Sequence, residues 1–219
     1  MACAFSNKAG LFNIGCEGQL YIGALTATAT ALAMQGLPRF LVILVSFLTG
    51  MMSGALVGGF NGLLKAKLNI NEVLVAIMLN YIMKFFASYC VHGPMKDPKS
   101  KVMQSPSIGQ EYMLTKILPK SQLTTALILG LILAALLYVF INKTRAGFAL
   151  RAVGENGSAA QAAGISMVKT VIITMAASGA IAALTGVTEV FGKTGKFVDG
   201  FSPGYGFTGI AVAVLGLSL

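Results

Sequence analysis

Charged side chains are scarce in this sequence. Only 11% of its 219 residues are charged, whereas 56% are hydrophobic, and an ordinary soluble domain carries about 25% charged residues. A water-soluble fold this apolar would need far more polar surface than the sequence provides. The composition therefore excludes an ordinary soluble domain and indicates that lipid surrounds most of the chain.

Residues that build disulfides, metal sites and active sites are also few. The three cysteines, Cys3, Cys16 and Cys90, form no Cys-x-x-Cys pair. Their spacing supports neither a disulfide framework nor a zinc site. The sequence offers no convincing pair of nucleophile and base. We therefore expect no catalytic residue, no metal and no cofactor.

Acidic residues are outnumbered by basic ones. The chain has 16 Lys and Arg against 7 Asp and Glu, a net charge of +9. The lysines cluster in the connections between apolar runs, which is typical of contact with anionic lipid headgroups. Tryptophan is absent, so aromatic residues at the membrane surface must come from the six tyrosines. We predict membrane lipid, and no nucleic acid, as the partner of the basic residues.

Long apolar runs fill most of the chain. Runs of about 20 apolar residues are typical of transmembrane helices, and these are too continuous for the alternating strands of a membrane barrel. We therefore predict an all-α fold, a polytopic transmembrane helix bundle. The predicted spans cover residues 10–33, 39–64, 72–92, 122–142 and 169–191, with a partial span from residue 207.

The longest connection and the final run differ from the rest. Residues 93–121 contain four prolines and five lysines, which predicts an irregular extramembrane loop with a short helix near Glu111–Leu118. The last apolar run, 210–219, has about ten residues and is too short to cross a bilayer. We expect residues 1–219 to form a single transmembrane domain that is a fragment, at least at its C-terminus.

Basic residues alone do not decide the orientation of the chain in the membrane. We call side Y the side of the connections 65–71 and 143–168, and side X the opposite side. Side Y has seven basic residues: Lys8, Lys65, Lys67, Lys143, Arg145, Arg151 and Lys169. Side X has eight: Arg39, Lys96, Lys99, Lys101, Lys116, Lys120, Lys193 and Lys196. Without the five lysines of the 93–121 loop, a ratio of seven to three favours side Y as cytoplasmic.

Glycines recur every four residues in the second predicted span, at Gly50, Gly54, Gly58 and Gly62. Four residues advance an α-helix by just over one turn, so all four lie on one face. A face without side chains lets a neighbouring backbone approach closely. We predict that these glycines serve helix packing and that this helix is central in the bundle.

Polar residues and glycines interrupt the start of the first span. Asn13, Glu17 and Gln19 lead into the apolar run, and a carboxylate near lipid depth is costly and often functional. The glycines favour a broken or re-entrant helix, which is tolerated where backbone is buried or lines a cavity. The alternative is an interfacial helix start with Glu17 near the helix N-terminus.

A similar pattern recurs near the other end of the chain. Gly206-Phe-Thr-Gly209 is followed by an apolar run, as is Gly15-Cys-Glu-Gly18. Paired glycine-interrupted segments in two halves of a membrane protein point to a transport site. The alternative is coincidence in a chain with 26 glycines.

The third span carries polar residues in its interior. Asn80 lies near its middle, next to Tyr81, and shares a helix face with Lys84. Either Asn80 forms an interhelical hydrogen bond and Lys84 extends toward the membrane surface, or these residues line a substrate pathway. We interpret His92, at the end of the span, as a boundary residue and not a ligand.

A short basic stretch, residues 145–164, separates the fourth and fifth spans. Ser158 and Gln161 have the spacing of a capping box, and Gly164 lies where a helix would stop. The resulting helix of about two turns is too short to be stable alone in water, so neighbouring protein must hold it. It is either a docking helix for a partner or an ordinary interfacial connector.

Four segments resemble one family. "GLFNIGCEGQLYIGA" at 10–24, "NEVLVAIMLNYI" at 71–82, "TRAGFALRAVGENGSAAQAAGI" at 144–165 and "GFSPGYGFTGIAVAVLG" at 200–216 are similar to bacterial ABC-transporter permeases of the simple-sugar and branched-chain amino acid class. The nucleoside-type branch is the most similar. The resemblance implies a multi-pass subunit of the inner membrane, with further helices before and after this sequence.

The resemblance also implies partners and a coupling site. It places the 143–168 connection in the cytoplasm and the 93–121 loop outside the cell. An ATP-binding protein, a second permease subunit and an extracellular substrate-binding lipoprotein would complete the transporter. The residues expected to couple to the ATP-binding protein are Arg151, Glu155, Ser158, Gln161 and Gly164.

The expected function is import of a nucleoside or simple sugar by alternating access, driven by ATP hydrolysis in the partner protein. Amide, hydroxyl and aromatic groups would bind such a neutral, hydroxyl-rich molecule. The expected pathway residues are Phe12, Asn13, Glu17, Gln19, Asn80, Tyr81, Tyr205 and Phe207. The alternative is an ion-coupled secondary transporter or channel, in which Glu17 and Lys84 would be the coupling groups.

Overall fold

The computed structural model describes residues 1–117 and 122–216, and this part of the chain is helical. Its β-structure is limited to two isolated bridges, Gln104–Val198 and Lys116–Thr124. The helices, in chain order, are α1 (Ala2–Asn7), α2 (Cys16–Ala33), α3 (Arg39–Leu68), α4 (Glu72–His92), α5 (Ala126–Lys143), α6 (Arg145–Glu155), α7 (Gly157–Ala162), α8 (Met167–Glu189) and α9 (Tyr205–Leu215). A π-helical turn, Val190–Thr194, extends α8, and a 3₁₀ turn lies at Gln110–Tyr112.

Helix α2 forms the centre of the bundle. Thirteen of its 18 residues are buried, because α3, α4, α8 and α9 all pack against it. Its buried Leu20, Tyr21 and Leu25 belong to the largest apolar cluster, together with Phe191 and Phe197. The prediction of an all-α membrane bundle is confirmed.

Helices α3 and α8 pack backbone against backbone. All four glycines of the stripe, Gly50, Gly54, Gly58 and Gly62, are buried. A Cβ added to Gly54 would collide with the Gly179 carbonyl oxygen, and one added to Gly58 with the Met175 carbonyl oxygen. Helix α8 has its own glycine at this contact, since a Cβ on Gly179 would collide with the Gly54 carbonyl oxygen. The glycines therefore let the two backbones touch.

Four described helices are long and apolar enough to cross a membrane: Arg39–Leu68, Glu72–His92, Ala126–Lys143, and α8 with its π-helical turn, Met167–Thr194. The predicted first span, 10–33, is wrong in its start, since α2 begins only at Cys16. Helix α2 is also absent from this set, because Glu17, Gln19 and three threonines make it less apolar. Other helices, rather than lipid, surround it.

The described part of the 93–121 loop, residues 93–117, folds back over the side X end of the bundle. Backbone hydrogen bonds join Ser105 N–H to the Phe197 carbonyl at 2.8 Å and Ile108 N–H to the Gly195 carbonyl at 2.9 Å. Instead of the predicted helix near Glu111–Leu118, the described part has only the 3₁₀ turn Gln110–Tyr112. Leu118 itself, with Pro119 and Lys120, lies outside the described residues.

Helix α5 stands apart from the bundle core. None of its residues is buried, and its main neighbour is α6. Thr144 Oγ1 caps α6 by accepting from Gly147 N–H at 3.0 Å, and a Cβ on Gly147 would collide with the Phe140 carbonyl oxygen. This tight turn folds α6 back against the side Y end of α5.

Candidate functional site

Asn13 anchors the irregular segment 8–15 inside the bundle. Its side chain is fully buried. Its Nδ2 donates to Ser178 Oγ at 2.7 Å and to Gln19 Oε1 at 3.0 Å, and its Oδ1 accepts from Gly15 N–H at 3.0 Å. Ser178 lies near the middle of α8. The break between α1 and α2 is thus buried, non-helical backbone at mid-bundle depth, where such backbone is tolerated because protein surrounds it.

Asn80 closes the N-terminus of α2. Its Oδ1 accepts from Gly18 N–H at 2.7 Å, and its Nδ2 donates to the Ile14 carbonyl at 3.0 Å. Gly18 is in the first turn of α2, whose N–H groups have no acceptor within the helix, and the cap residue Gly15 supplies no side chain. Both ends of the Asn80 amide are therefore engaged, and Asn80 is a helix cap contributed by α4.

Glu17 performs the equivalent role for α9. Its side chain is buried, and its Oε2 accepts from Gly206 N–H, in the first turn of α9, at 2.7 Å. Glu17 is also in the first turn of α2, so its carboxylate lies beside two helix N-termini, where negative charge is favoured. The two glycine-interrupted segments of the sequence, 15–18 and 206–209, therefore meet here.

The structure does not gather the eight predicted pathway residues around one cavity. Asn13, Gln19 and Asn80 form one buried hydrogen-bonded group, and Glu17 lies beside it. Phe12 packs half-buried against the cluster of Cys3, Cys16 and Ala213. The other aromatic residues lie elsewhere: Tyr81 is 61% exposed on α4, Phe207 is 51% exposed on α9, and Tyr205 is half-buried.

Lys84 and His92 lie on α4 away from this group. Lys84 is exposed, and it shares the outer part of α4 with Tyr81 and Phe85, whose rings stack with centroids 6.4 Å apart. His92 is the last residue of α4, and its Nδ1 lies 2.8 Å from the Ser88 carbonyl and 3.9 Å from Asp199 Oδ2.

A polar cleft that the sequence did not reveal opens at the side X end of α8. It encloses about 420 Å³ between α8, α9 and the start of α5. Glu189 is its charged centre, because Glu189 Oε1 lies 2.8 Å from Lys193 Nζ and 3.5 Å from the Tyr205 hydroxyl. The other polar side chains around it are those of Gln122, Thr124, Thr185 and Thr188.

The predicted coupling residues lie together on α6 and α7. Glu155, Ser158, Gln161 and Gly164 are exposed and Arg151 is half-buried. Leu150 and Val153 are buried and fix the opposite face of α6 to the bundle. The exposed residues form a surface that another protein can reach.

The predicted cap of α7 is wrong. Asn156, not Ser158, caps this helix: Asn156 Oδ1 accepts from Ala159 N–H at 3.0 Å, and α7 begins at Gly157. Asn156 has extended backbone angles (φ −155°, ψ 101°), as a cap residue requires, whereas Ser158 is already inside the helix. The predicted stop is close to the end of the helix, since Gly164 follows the C-cap Ala163 with a left-handed φ of 82°.

His, Cys, Asp and Glu are the side chains that most often hold metal ions in proteins. The described part of the chain contains no group of three or more such residues that could hold a metal ion. The polar groups of the cleft offer hydrogen bonds, an aromatic ring at Tyr205 and the ion pair between Glu189 and Lys193.

Known proteins similar to this chain are membrane transport components. The guanosine ABC transporter permease protein NupP of Bacillus subtilis is 38% identical over 99% of this chain and 63% of its own length. The nucleoside ABC transporter permease protein NupB of Lactococcus lactis is 35% identical over 99% of this chain and 62% of its own. The glucose ABC transporter permease protein TsgB13 of Haloferax volcanii is 35% identical over 95% of this chain and 57% of its own.

The chain thus spans less than two thirds of the length of these relatives. No solved structure matches it. A family model described as the permease component of branched-chain amino acid transport systems matches residues 1–218. With four helices apolar enough to cross a membrane among the described residues, the chain is a multi-pass membrane protein that belongs to this family of transport components.

Proposed function

We propose that this chain is a permease subunit of an ATP-driven importer that carries a nucleoside or a simple sugar across the cell membrane by alternating access. The observation that carries the proposal is the 35–38% identity with guanosine, nucleoside and glucose ABC transporter permeases over at least 95% of the chain. Nucleosides and glucose share a ring rich in hydroxyl groups, which defines the proposed substrate class.

The cleft around Glu189 is the proposed substrate contact on side X. Its volume of about 420 Å³ falls within the range of about 300–1,000 Å³ that is usual for small-molecule sites. The Glu189 carboxylate, the Lys193 ammonium group and the threonine hydroxyls can exchange hydrogen bonds with sugar hydroxyls. Tyr205, at the same cleft, can pack against a ring.

The buried group of Asn13, Gln19 and Asn80 has a different proposed role. The Asn80 amide is engaged at both ends by protein atoms, as is that of Asn13. A side chain held in this way stabilises the break between α1 and α2, and turning it toward a substrate would leave its buried protein partners unpaired. We therefore assign these residues to the framework of the pathway.

The exposed part of α6 and α7 is the proposed contact with the ATP-binding protein, with side Y in the cytoplasm and the 93–121 loop outside the cell. The proposed partners are that ATP-binding protein, a second permease subunit and an extracellular substrate-binding lipoprotein. The exposure of Glu155, Ser158, Gln161 and Gly164 supports this assignment. Closure of the ATP-binding protein would move α6 and α7 and, through the buried face of α6, the bundle.

Uptake of labelled guanosine and labelled glucose by cells that express the whole transporter tests the proposal. Uptake that stops when the ATP-binding protein is inactivated, and persists when ion gradients are collapsed, supports it. The opposite pattern favours the ion-coupled secondary transporter or channel.

The cleft is tested separately with Glu189→Gln. Removal of a charged hydrogen-bond partner of the substrate should raise the KM of uptake about tenfold or more. Glu111→Gln, an exposed acidic residue of the 93–121 loop outside the cleft, is the matched control and should leave KM unchanged. Equal KM values for both variants would remove the cleft from the pathway.

A further inference from the structure

A second polar cavity opens at the other end of the molecule, on side Y. It encloses about 670 Å³ between the end of α1, the end of α5 and the end of α6. Its polar side chains are those of Asn7, Lys8, Tyr138, Asn142, Arg151 and Glu155. Arg151 and Glu155 also belong to the coupling surface proposed above. That proposal uses the exposed part of α6 and α7, and it does not account for Asn7, Lys8, Tyr138 and Asn142 around the same cavity.

Close backbone packing fixes the shape of the cavity. A Cβ on Gly154 would collide with the Lys8 carbonyl oxygen, so the end of α6 touches the segment that follows α1 directly. Leu150 packs in one apolar cluster with Phe5 and Leu11. Packing therefore sets the backbone positions of Lys8 and Arg151 relative to each other.

The cavity is electropositive and its cations are not neutralised within the protein. Lys8 and Arg151 face a single carboxylate, Glu155. Among the described residues, the ion pairs are Lys65–Glu72, His92–Asp199 and Lys193–Glu189, and none involves Lys8 or Arg151. The Nε atom of Arg151 is buried and has no hydrogen-bond partner within the described part of the chain. The Arg151 side chain as a whole lines the cavity and is only half-buried, so a ligand from outside the chain can reach part of it.

The position of the cavity along α5 shows which layer of the membrane surrounds it. Helix α5 has no buried residue and no charged residue before Lys143, so its surface suits acyl chains. Tyr138, 67% exposed, lies about one turn before the end of α5, where aromatic residues mark the boundary between acyl chains and headgroups. The cavity next to Tyr138 therefore lies at headgroup level.

We propose that this cavity binds the headgroup of an anionic phospholipid. The Arg151 guanidinium and the Lys8 ammonium would contact the phosphate, since a guanidinium matches two phosphate oxygens at once. The Asn142 amide and the Tyr138 hydroxyl lie where they can contact the rest of the headgroup. Two cations against one carboxylate favour a lipid with a net negative charge over a zwitterionic one.

The test is lipid binding to the purified permease chain, freed of native lipid in detergent and measured by native mass spectrometry. Phosphatidylglycerol should bind more tightly than phosphatidylcholine. Lys8→Gln and Arg151→Gln should each weaken phosphatidylglycerol binding about fivefold, the factor for one basic residue near an anionic headgroup. Lys8→Arg should retain binding.

Lys67→Gln is the matched control. Lys67 is an exposed basic residue on side Y, in the last turn of α3 and outside the cavity, so its replacement should leave lipid binding unchanged. Because Lys8 is exposed, Lys8→Gln keeps the test valid if Arg151→Gln does not fold.

Three results would overturn the proposal. Equal binding of the two lipids would show that the protein does not recognise the charge of the headgroup. An equal loss of lipid binding in Lys67→Gln would show that a diffuse basic surface, and not this cavity, binds the lipid. Displacement of phosphatidylglycerol by an excess of inorganic phosphate would show a site for a free phosphate instead of a lipid.

Discussion

At the scale of single residues, polar side chains inside this bundle serve as caps for helices other than their own. Asn80 of α4 caps α2, and Glu17 of α2 caps α9. Water cannot reach these helix ends. Each N–H group of the first turn that has no acceptor within its own helix therefore needs one from another part of the protein. The residues that looked most functional in the sequence are thus held in structural hydrogen bonds.

Asn80→Leu should lower the free energy of unfolding by about 1–3 kcal/mol, because it leaves the Gly18 N–H and the Ile14 carbonyl buried without partners. The measurement is denaturant or thermal unfolding in detergent. Tyr81→Leu, at the exposed neighbouring position, should change stability by about 0.5 kcal/mol or less. An Asn80→Leu protein as stable as the wild type but unable to transport would instead assign Asn80 to the substrate.

Glu17 can be tested by separating its charge from its hydrogen bond. Glu17→Gln keeps an oxygen that can accept from Gly206 N–H, so it should cost about 1 kcal/mol or less for the lost charge near the helix N-termini. Glu17→Ala removes the acceptor and should cost about 1–3 kcal/mol. Thermal unfolding of both proteins checks the order. Equal loss of stability in both would show that the negative charge, and not the hydrogen bond from Gly206 N–H, carries the stabilisation.

Sequence reasoning could identify Asn80 and Glu17 as unusual but could not assign their partners. The Gly18–Asn80 contact joins residues 62 positions apart, and Glu17–Gly206 joins residues 189 apart. No local pattern encodes such pairs. The cleft residues Thr185 and Glu189 were missed because they lie within or at the end of an apolar run, where only the fold shows which side of the helix is open.

At the scale of helices, the glycine periodicity of α3 predicted a close-packed face. The same sequence could not identify α8 as the partner, because Gly179 stands alone between Ala176-Ala-Ser178 and Ala180 and does not belong to a four-residue glycine repeat. The cap of α7 was missed for a local reason. Both Asn156 and Ser158 are good cap residues, and the extended backbone at Asn156 decides between them.

Gly54→Ala should destabilise the α3–α8 contact, since the added Cβ collides with backbone of α8 that cannot move aside. Overpacking of this kind costs about 1–3 kcal/mol. Gly59→Ala is the control within the same helix, because its Cβ would find only Ala176 Cβ at 3.4 Å. Unfolding in detergent should separate the two variants, and equal stability would contradict the close backbone contact.

Asn156→Ala should weaken α7 by about 1 kcal/mol through loss of its cap, whereas Ser158→Ala should have little effect. Hydrogen exchange of residues 157–163 measures the difference. Exchange should accelerate about fivefold in the first variant only. Faster exchange in Ser158→Ala alone would show that Ser158 is the cap residue, as the sequence predicted.

At the scale of the whole molecule, most helix positions follow from the apolar runs, because lipid forces the backbone into helices. The exception is α2, which is central and is shielded from lipid by other helices. Its lower apolar content reflects that position. An interfacial helix has a similar composition, so the sequence alone does not distinguish the two.

The orientation of the whole molecule can be measured with one added cysteine at a time, in a protein whose half-buried Cys90 is replaced by serine and whose Cys3 and Cys16 are buried. Under the proposed topology, Lys101→Cys should react with a membrane-impermeant thiol reagent in intact cells. Ser158→Cys should react only after the cells are permeabilised. Both positions are exposed, so access to the reagent depends on the side of the membrane, and the reverse pattern would exclude α7 as the contact with an ATP-binding protein.

The hydrogen bond between Glu17 and Gly206 also has a consequence for biosynthesis. The two residues are separated by 189 positions, which a ribosome covers in about 10–40 s at about 5–20 residues per second. Throughout this interval the Glu17 carboxylate lacks the Gly206 N–H group as its donor, because α9 has not yet been made. The contact between α2 and α9 therefore forms late relative to the synthesis of α2, and a nascent chain stalled before α9 should remain open at its centre and sensitive to membrane proteases.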